Sequence, residues 1–173
     1  MKNMIIKSAL TLFVMMSFGW YAQAEDISAS LKDVKSIRHP ATNRYSSGQP
    51  EPDSFSNFAQ AGVQHVINLR PPAETPDINE AALVTKAGMA YYNVPISGAN
   101  DLTRDNVVLI DKILQKIDNE SALLHCSSSN RVGAIMALRA AWLENATSDE
   151  AIKIGKQWGL TQLQPSVEKL LMQ

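Results

Sequence analysis

The residues best equipped for chemistry lie in one short run: His125-Cys126-Ser127-Ser128-Ser129-Asn130-Arg131-Val132-Gly133. Within it a thiol, Cys126, and a guanidinium, Arg131, stand with four residues between them. The apolar stretch Ala122–Leu124 before it reads as a strand, and Val132 to Glu144 after it reads as a helix. Ligands of an open α/β sheet bind where strands end at their carboxyl edge. A loop curling there from strand into helix turns successive backbone N–H groups into a nest for an anion. The following helix adds the positive end of its dipole. Both effects favour a thiolate over a thiol at Cys126. Arg131 offers a planar fork of donors suited to a tetrahedral oxyanion. The run therefore combines a nucleophile with a cradle, the cradle formed by Ser127, Ser128, Ser129, Asn130 and Arg131.

Cys126 is the single cysteine of a 173-residue chain. Residues 1–24 read as a cleaved export signal. Lys2 and Lys7 precede an apolar run from Ala9 to Trp20, and Ala22-Gln23-Ala24 supplies the small-x-small step. That run is too short for a bilayer span of about 20 residues. The expectation is a periplasmic or secreted protein, with residues 25–173 as one domain. An exported lone cysteine has no internal disulfide partner, so its retention calls for a chemical reason. Without Lys2 and Lys7 the balance is 14 basic against 17 acidic residues, with no basic stripe. A nucleic-acid partner is not expected. No later apolar run is long enough for stable membrane insertion, and no His/Cys spacing resembles a metal site.

The elements that must position the loop alternate in type. Val34 to Arg38 and Arg44 to Ser47 read as strands around a His39-Pro40 turn, with Ser47-Gly48-Gln49-Pro50 as a loop. A helix from Asp53 or Ser54 to Ala61 precedes a buried strand at Val66–Leu69, bounded by Arg70-Pro71-Pro72. A helix over 78–87, a strand over 90–94 and a polar loop over 95–102 follow. Thr103 caps a helix whose apolar stripe is Val107, Leu109, Ile110, Ile113, Leu114 and Ile117. Helices from Ser148 and after Pro165 close the chain. Strands alternating with helices predict a three-layer α/β domain, its mostly parallel central sheet covered by helices on both faces.

Cys126 with Arg131 resembles the active loop of the cysteine-dependent phosphatases, where a His-Cys pair opens the loop and Arg closes it. Val66 to Arg70 with Glu74 resembles the Ile-Asn-Leu-Arg-x-x-x-Glu stretch of dual-specificity phosphatase-like domains. Tyr91 to Ile96 is similar to the strand before their general-acid loop. With Ser47-Gly48-Gln49-Pro50, the chain resembles the beta-lactamase-hydrolase-like protein, phosphatase-like domain family, over about Val34 to Glu144. The resemblance implies a dual-specificity phosphatase-like fold and a phosphocysteine intermediate on Cys126. It further implies oxyanion binding by the loop and Arg131, a general acid at Asp101, and no cofactor. The substrate would be a small-molecule or protein phosphate ester.

Three features depart from that pattern. The spacing between Cys126 and Arg131 is four residues rather than five, the loop lacks glycine, and Val132 stands where a hydroxyl residue usually follows the arginine. Asn130 is the loop residue expected to accept positive φ in place of glycine. Four is also the loop length of rhodanese-type sulfurtransferases. The alternatives are thus a Cys126 persulfide fed by a sulfane-sulfur donor, or a silent oxyanion-binding module. Elsewhere, Asp101 reads either as the acid or as a loop cap. Arg70 reads as a substrate contact or as a partner of Glu74, itself a second acid candidate or an exposed loop carboxylate. His125, on the face opposite Cys126, reads as a buried hydrogen-bonding residue that shapes the loop.

Overall fold

The computed structural model describes Leu31 and residues 34–172; the export signal expected at residues 1–24 lies outside them. Among the described residues five strands form one sheet: β1 (Arg38–Ala41), β2 (Arg44–Ser47), β3 (His65–Asn68), β4 (Ala90–Asn93) and β5 (Ala122–His125). Their order is β1-β2-β5-β3-β4, with β1 antiparallel to β2 and every other pair parallel. β3 and β5 sit between neighbours and are buried along their whole length, as strands covered on both faces must be.

Alternation of side chains divides the core in two. Val66 and Leu123 face one side, where they pack with Phe55 and Phe58 of α1 (Ser54–Gln60) and Val84 of α2 (Glu80–Lys86). Ile67 and Leu124 face the other. There they meet α3 (Arg104–Ile117), α4 (Asn130–Glu144) and Val167 of α6 (Gln164–Leu171), with Trp158 following α5 (Ser148–Gln157). The result is the three-layer α/β architecture expected from the sequence. Among the described residues no helix is long and apolar enough to cross a membrane.

Two local expectations are corrected. His39-Pro40 lies inside β1, and the hairpin turns instead at Asn43, with φ of 58°. Proline lacks an N–H but is tolerated on an edge strand, whereas asparagine accepts the left-handed region better than most residues. Leu109 is 47% exposed rather than on the buried stripe of α3. Asp111 takes an inner position, and Arg139 of α4 meets its charge at 2.8 Å.

The pairing register explains where the polar groups gather. The last residues of the parallel strands align across the sheet as Ser47, His125, Asn68 and Asn93. In the two rows below, the central strands carry Leu124 with Ile67 and Leu123 with Val66, and these give way to an all-polar row at the carboxyl edge. Cys126 is the next residue along β5.

Candidate active site

Cys126 leaves β5 fully buried, its N–H directed to the Ser47 carbonyl at 3.4 Å. The loop that follows is braced from two sides. On the first, Gly48 bridges Ser128, and a side chain at position 48 would begin 3.0 Å from the Ser127 carbonyl and 3.1 Å from that of Lys35. Glycine lets the Ser47–Pro50 segment lie this close to the loop without strain, whereas a Cβ would force its neighbours to give by a few tenths of an ångström. On the second side, Ser129 Oγ donates to the Trp158 carbonyl at 2.9 Å, and Asn130 Oδ1 accepts from the Thr161 N–H at 2.8 Å.

The left-handed residue of the loop is Ser129, with φ of 69°, and not Asn130 as the sequence suggested. Asn130 already belongs to α4, and its side chain is committed to the 161–163 backbone. The helix therefore starts two residues earlier than the apolar pattern indicated. Ser129 and Asn130 contribute backbone to the loop while their side chains anchor it from behind. Asn130 and Arg131 stand in the first turn of α4, where N–H groups have no intrahelical acceptor.

Arg131 is held by four hydrogen bonds. Nη1 donates to Glu74 Oε1 at 2.8 Å and to the Ile96 carbonyl at 2.7 Å. Nη2 donates to Glu74 Oε2 at 2.7 Å and to Ser127 Oγ at 3.1 Å. Burial by itself would lower the guanidinium's affinity for its proton. The hydrogen bonds and charge of Glu74, together with the adjacent Cys126 sulfur, more than offset this and raise its pKa. For Glu74 the Arg131 hydrogen bond comes first and, with Arg70, holds the carboxyl below its usual range against desolvation. Glu74 is thus an ion-paired group on a short 3₁₀ turn (Pro72–Glu74), its side chain 31% exposed.

Arg70 pairs with Glu74. Its Nε donates to Glu74 Oε2 at 3.0 Å, and its Nη1 donates to Gln49 Oε1 at 2.8 Å. Asp101 closes a turn at the end of the 95–101 loop, its Oδ2 accepting from the Ser97 N–H at 2.7 Å. That loop is tied to the site through Ile96, whose carbonyl accepts from Arg131. The structure therefore brings Cys126, Ser127, Arg131, Glu74 and Arg70 into one connected group. Among the described residues no group of three or more His, Cys, Asp or Glu side chains is arranged to hold a metal ion.

Two participants escaped the sequence reading. Glu80, on the first turn of α2, is 4% exposed and accepts from His125 Nε2 at 2.8 Å. Gln49 donates to the other Glu80 oxygen at 2.7 Å. Burial would push the Glu80 carboxyl up, but the hydrogen bond and charge of His125, the Gln49 amide and the charge of Arg70 hold it below its ordinary value. A glutamate is almost never buried unless paired, and no local pattern marks this one. The one available signal was His125 itself, a buried ring in need of a partner.

No family model matches the chain. A curated relative, the beta-lactamase hydrolase-like protein of Xylella fastidiosa, is 33% identical over 117 residues, or 65% of this chain. The chain spans 27% of that relative's length. Among solved structures, a candidate phosphatase (DUF442) from Shewanella putrefaciens CN-32 superposes with a TM-score of 0.68 at 27% identity. The match covers 84% of this chain and 94% of the other. TpbA of P. aeruginosa, solved in complex with pTyr, shares the fold with a TM-score of 0.61 at 16% identity, covering 78% of this chain and 81% of its own. The resemblance to the beta-lactamase-hydrolase-like phosphatase family is borne out by these likenesses in sequence and in fold.

Proposed function

We propose that this chain is an exported, cysteine-dependent phosphatase acting on phosphate monoesters of small molecules or proteins. The observation that carries the reading is the pairing of Cys126 with Arg131 at the carboxyl edge of the sheet. The guanidinium lies beside the sulfur and is fixed by Glu74 and the Ile96 carbonyl. In this scheme the Cys126 thiolate attacks phosphorus, and the bond to the leaving oxygen breaks as Asp101 protonates that oxygen. Water then attacks the phosphocysteine with Asp101 as base, and the S–P bond breaks to return the thiolate. Backbone N–H groups from Ser127 to Arg131 and the guanidinium hold the equatorial oxygens. Ser127 Oγ, the loop hydroxyl that Arg131 meets, takes the place of the hydroxyl missing at Val132. Arg70 acts here by holding Glu74, and no cofactor enters the scheme. The phosphotyrosine bound by TpbA makes an aryl phosphate the first substrate to test.

The four-residue loop spacing favours one rival, sulfur transfer through a Cys126 persulfide. The intact mass of the protein, quenched rapidly after exposure to an aryl phosphate or to thiosulfate, separates the two. A phosphoryl adduct absent from Cys126→Ser supports the phosphatase. A gain of one sulfur from thiosulfate, without a phosphoryl adduct, would replace it with the sulfurtransferase. Absence of both adducts together with absence of turnover would leave an oxyanion-binding module.

A further inference from the structure

The two neighbours of Cys126 are the ends of one unbroken chain of hydrogen bonds. From His125 it runs to Glu80 (2.8 Å), Gln49 (2.7 Å), Arg70 (2.8 Å), Glu74 (3.0 Å), Arg131 (2.7 Å) and back to Ser127 (3.1 Å). Every member except Gln49 and Ser127 is a titratable or permanently charged group. Gln49 joins the buried Glu80 carboxylate, which only accepts, to the Arg70 guanidinium, which only donates. A bridge between two such groups must present a donor at one end and an acceptor at the other, and a side-chain amide does so. Its second N–H reaches the Pro50 carbonyl at 3.2 Å, so the opposite amide orientation would set like poles against both neighbours.

We propose that Gln49 is a positioning residue of the oxyanion site: its amide, fixed on buried Glu80, orients Arg70 and through Glu74 the fork of Arg131. The inference rests on the reading of the Cys126–Arg131 loop as an oxyanion site. Arg70 is the element that needs this help. It grips Glu74 through Nε and through Nη2 on the Glu74 carbonyl, and its remaining nitrogen, Nη1, is held by Gln49. Without the amide, Arg70 keeps its attachment to Glu74 but loses its fixed point on the sheet side. Glu74 then follows Arg70, and Arg131 follows Glu74. The main chain adds a second restraint, because Gly48, next to Gln49, bridges Ser128 of the loop itself.

The test measures sulfate affinity by calorimetry between roughly pH 5 and 8, in a Cys126→Ser parent so that thiolate ionisation does not contribute. Sulfate does not titrate in this range. Gln49→Met keeps length and removes both polar ends. Gln49→Glu keeps the acceptor toward Arg70 but sets a carboxylate against Glu80. The charged and titratable groups around position 49 are Glu80, with His125 and Tyr91 against it, and Arg70 with Glu74; Lys35 packs over Gly48. Dividing each variant's affinity by the parent's at the same pH removes their common effect. Gln49→Met is expected to bind sulfate about tenfold more weakly at every pH, the size of a coupling between contacting residues. Gln49→Glu should show that deficit near pH 8 and recover toward the parent near pH 5, where two facing carboxylates share one proton.

Equal affinity of both variants and the parent throughout would overturn the proposal. So would a Gln49→Glu deficit that does not change with pH. If Gln49→Met proves unfolded by circular dichroism, the pH dependence of the folded Gln49→Glu protein decides alone. A parent that does not bind sulfate would overturn the oxyanion reading itself, and the inference with it.

Discussion

Gly159 faces Ser129 so closely that a Cβ on the glycine would lie 2.6 Å from the Cβ of the serine. Both residues have positive φ, 104° and 69°. The left-handed turn that aims the loop into α4 thus depends on a glycine thirty residues later, which leaves room for the Ser129 side chain to reach the Trp158 carbonyl. Gly159→Ala imposes the steric cost of positive φ, about 1–2 kcal/mol, and a clash with Ser129 as well. The expected loss is about 2 kcal/mol or more in urea unfolding. On the proposed reading, phosphatase turnover should fall further than the folded fraction, because the displaced residue is in the loop. Unchanged turnover per folded molecule would separate the Ser129 turn from catalysis.

Arg131→Lys keeps the positive charge and discards the fork. The bidentate grip of Glu74 at 2.7 and 2.8 Å is lost, along with the simultaneous bonds to Ile96 and Ser127. A lysine ammonium cannot reproduce a planar, two-point contact. On the proposed reading Arg131 is a preorganised donor to the developing oxyanion; losing one such donor costs about 10²–10³ in kcat, so aryl phosphate hydrolysis should fall by at least that factor. A variant retaining a tenth of the activity would show that charge alone suffices.

Much of this arrangement was legible in the chain. The Cys126–Arg131 spacing, the strand before it and the helix after it are local features, and local features survive into the fold. Val66, Ile67, Leu123 and Leu124 announced buried strands because neither face of those strands meets water. What stayed hidden depends on pairing across the sheet. The row Ser47-His125-Asn68-Asn93 comes from register, and Glu80 meets His125 only because α2 packs beside that row. Likewise the Gly133 requirement is invisible in sequence: a Cβ there would lie 2.1 Å from the Leu160 nitrogen, a contact between segments far apart in the chain.

The acid limb of stability follows chiefly from Glu80 and Glu74, whose pKa values folding lowers; Glu150, lowered too by its hydrogen bonds with Thr147, is fully exposed and adds little. A depressed carboxyl contributes fully above its unfolded value of about 4.3, and that contribution disappears as pH falls through the folded value. Stability should therefore hold from neutral pH to about 5 and decline below it. Glu80→Gln removes part of that decline and destabilises the protein at neutral pH. Breaking a buried pair costs about 3–5 kcal/mol, and the remaining polar contacts of glutamine place the expected loss at or below the lower end. Urea midpoints measured from about pH 7 to 3 in both proteins give the comparison. Parallel curves would assign the acid limb to other groups.

Asp101 carries the last prediction, because its carboxylate already has a structural duty in accepting from the Ser97 N–H at 2.7 Å. Asp101→Asn keeps an acceptor for that amide and removes the ability to donate and take back a proton. If the loop position serves only as a cap, the variant should hydrolyse aryl and alkyl phosphates as the parent does. If Asp101 is the general acid, turnover falls by about 10²–10⁴. The loss is then greatest for alkyl leaving groups, which need protonation most. Thiosulfate sulfur transfer requires no such proton and should be unaffected by the same substitution. A profile in which both activities fall together would point to a collapsed 95–101 loop, read independently from the thermal midpoint; one in which only phosphoester cleavage falls assigns the proton to Asp101.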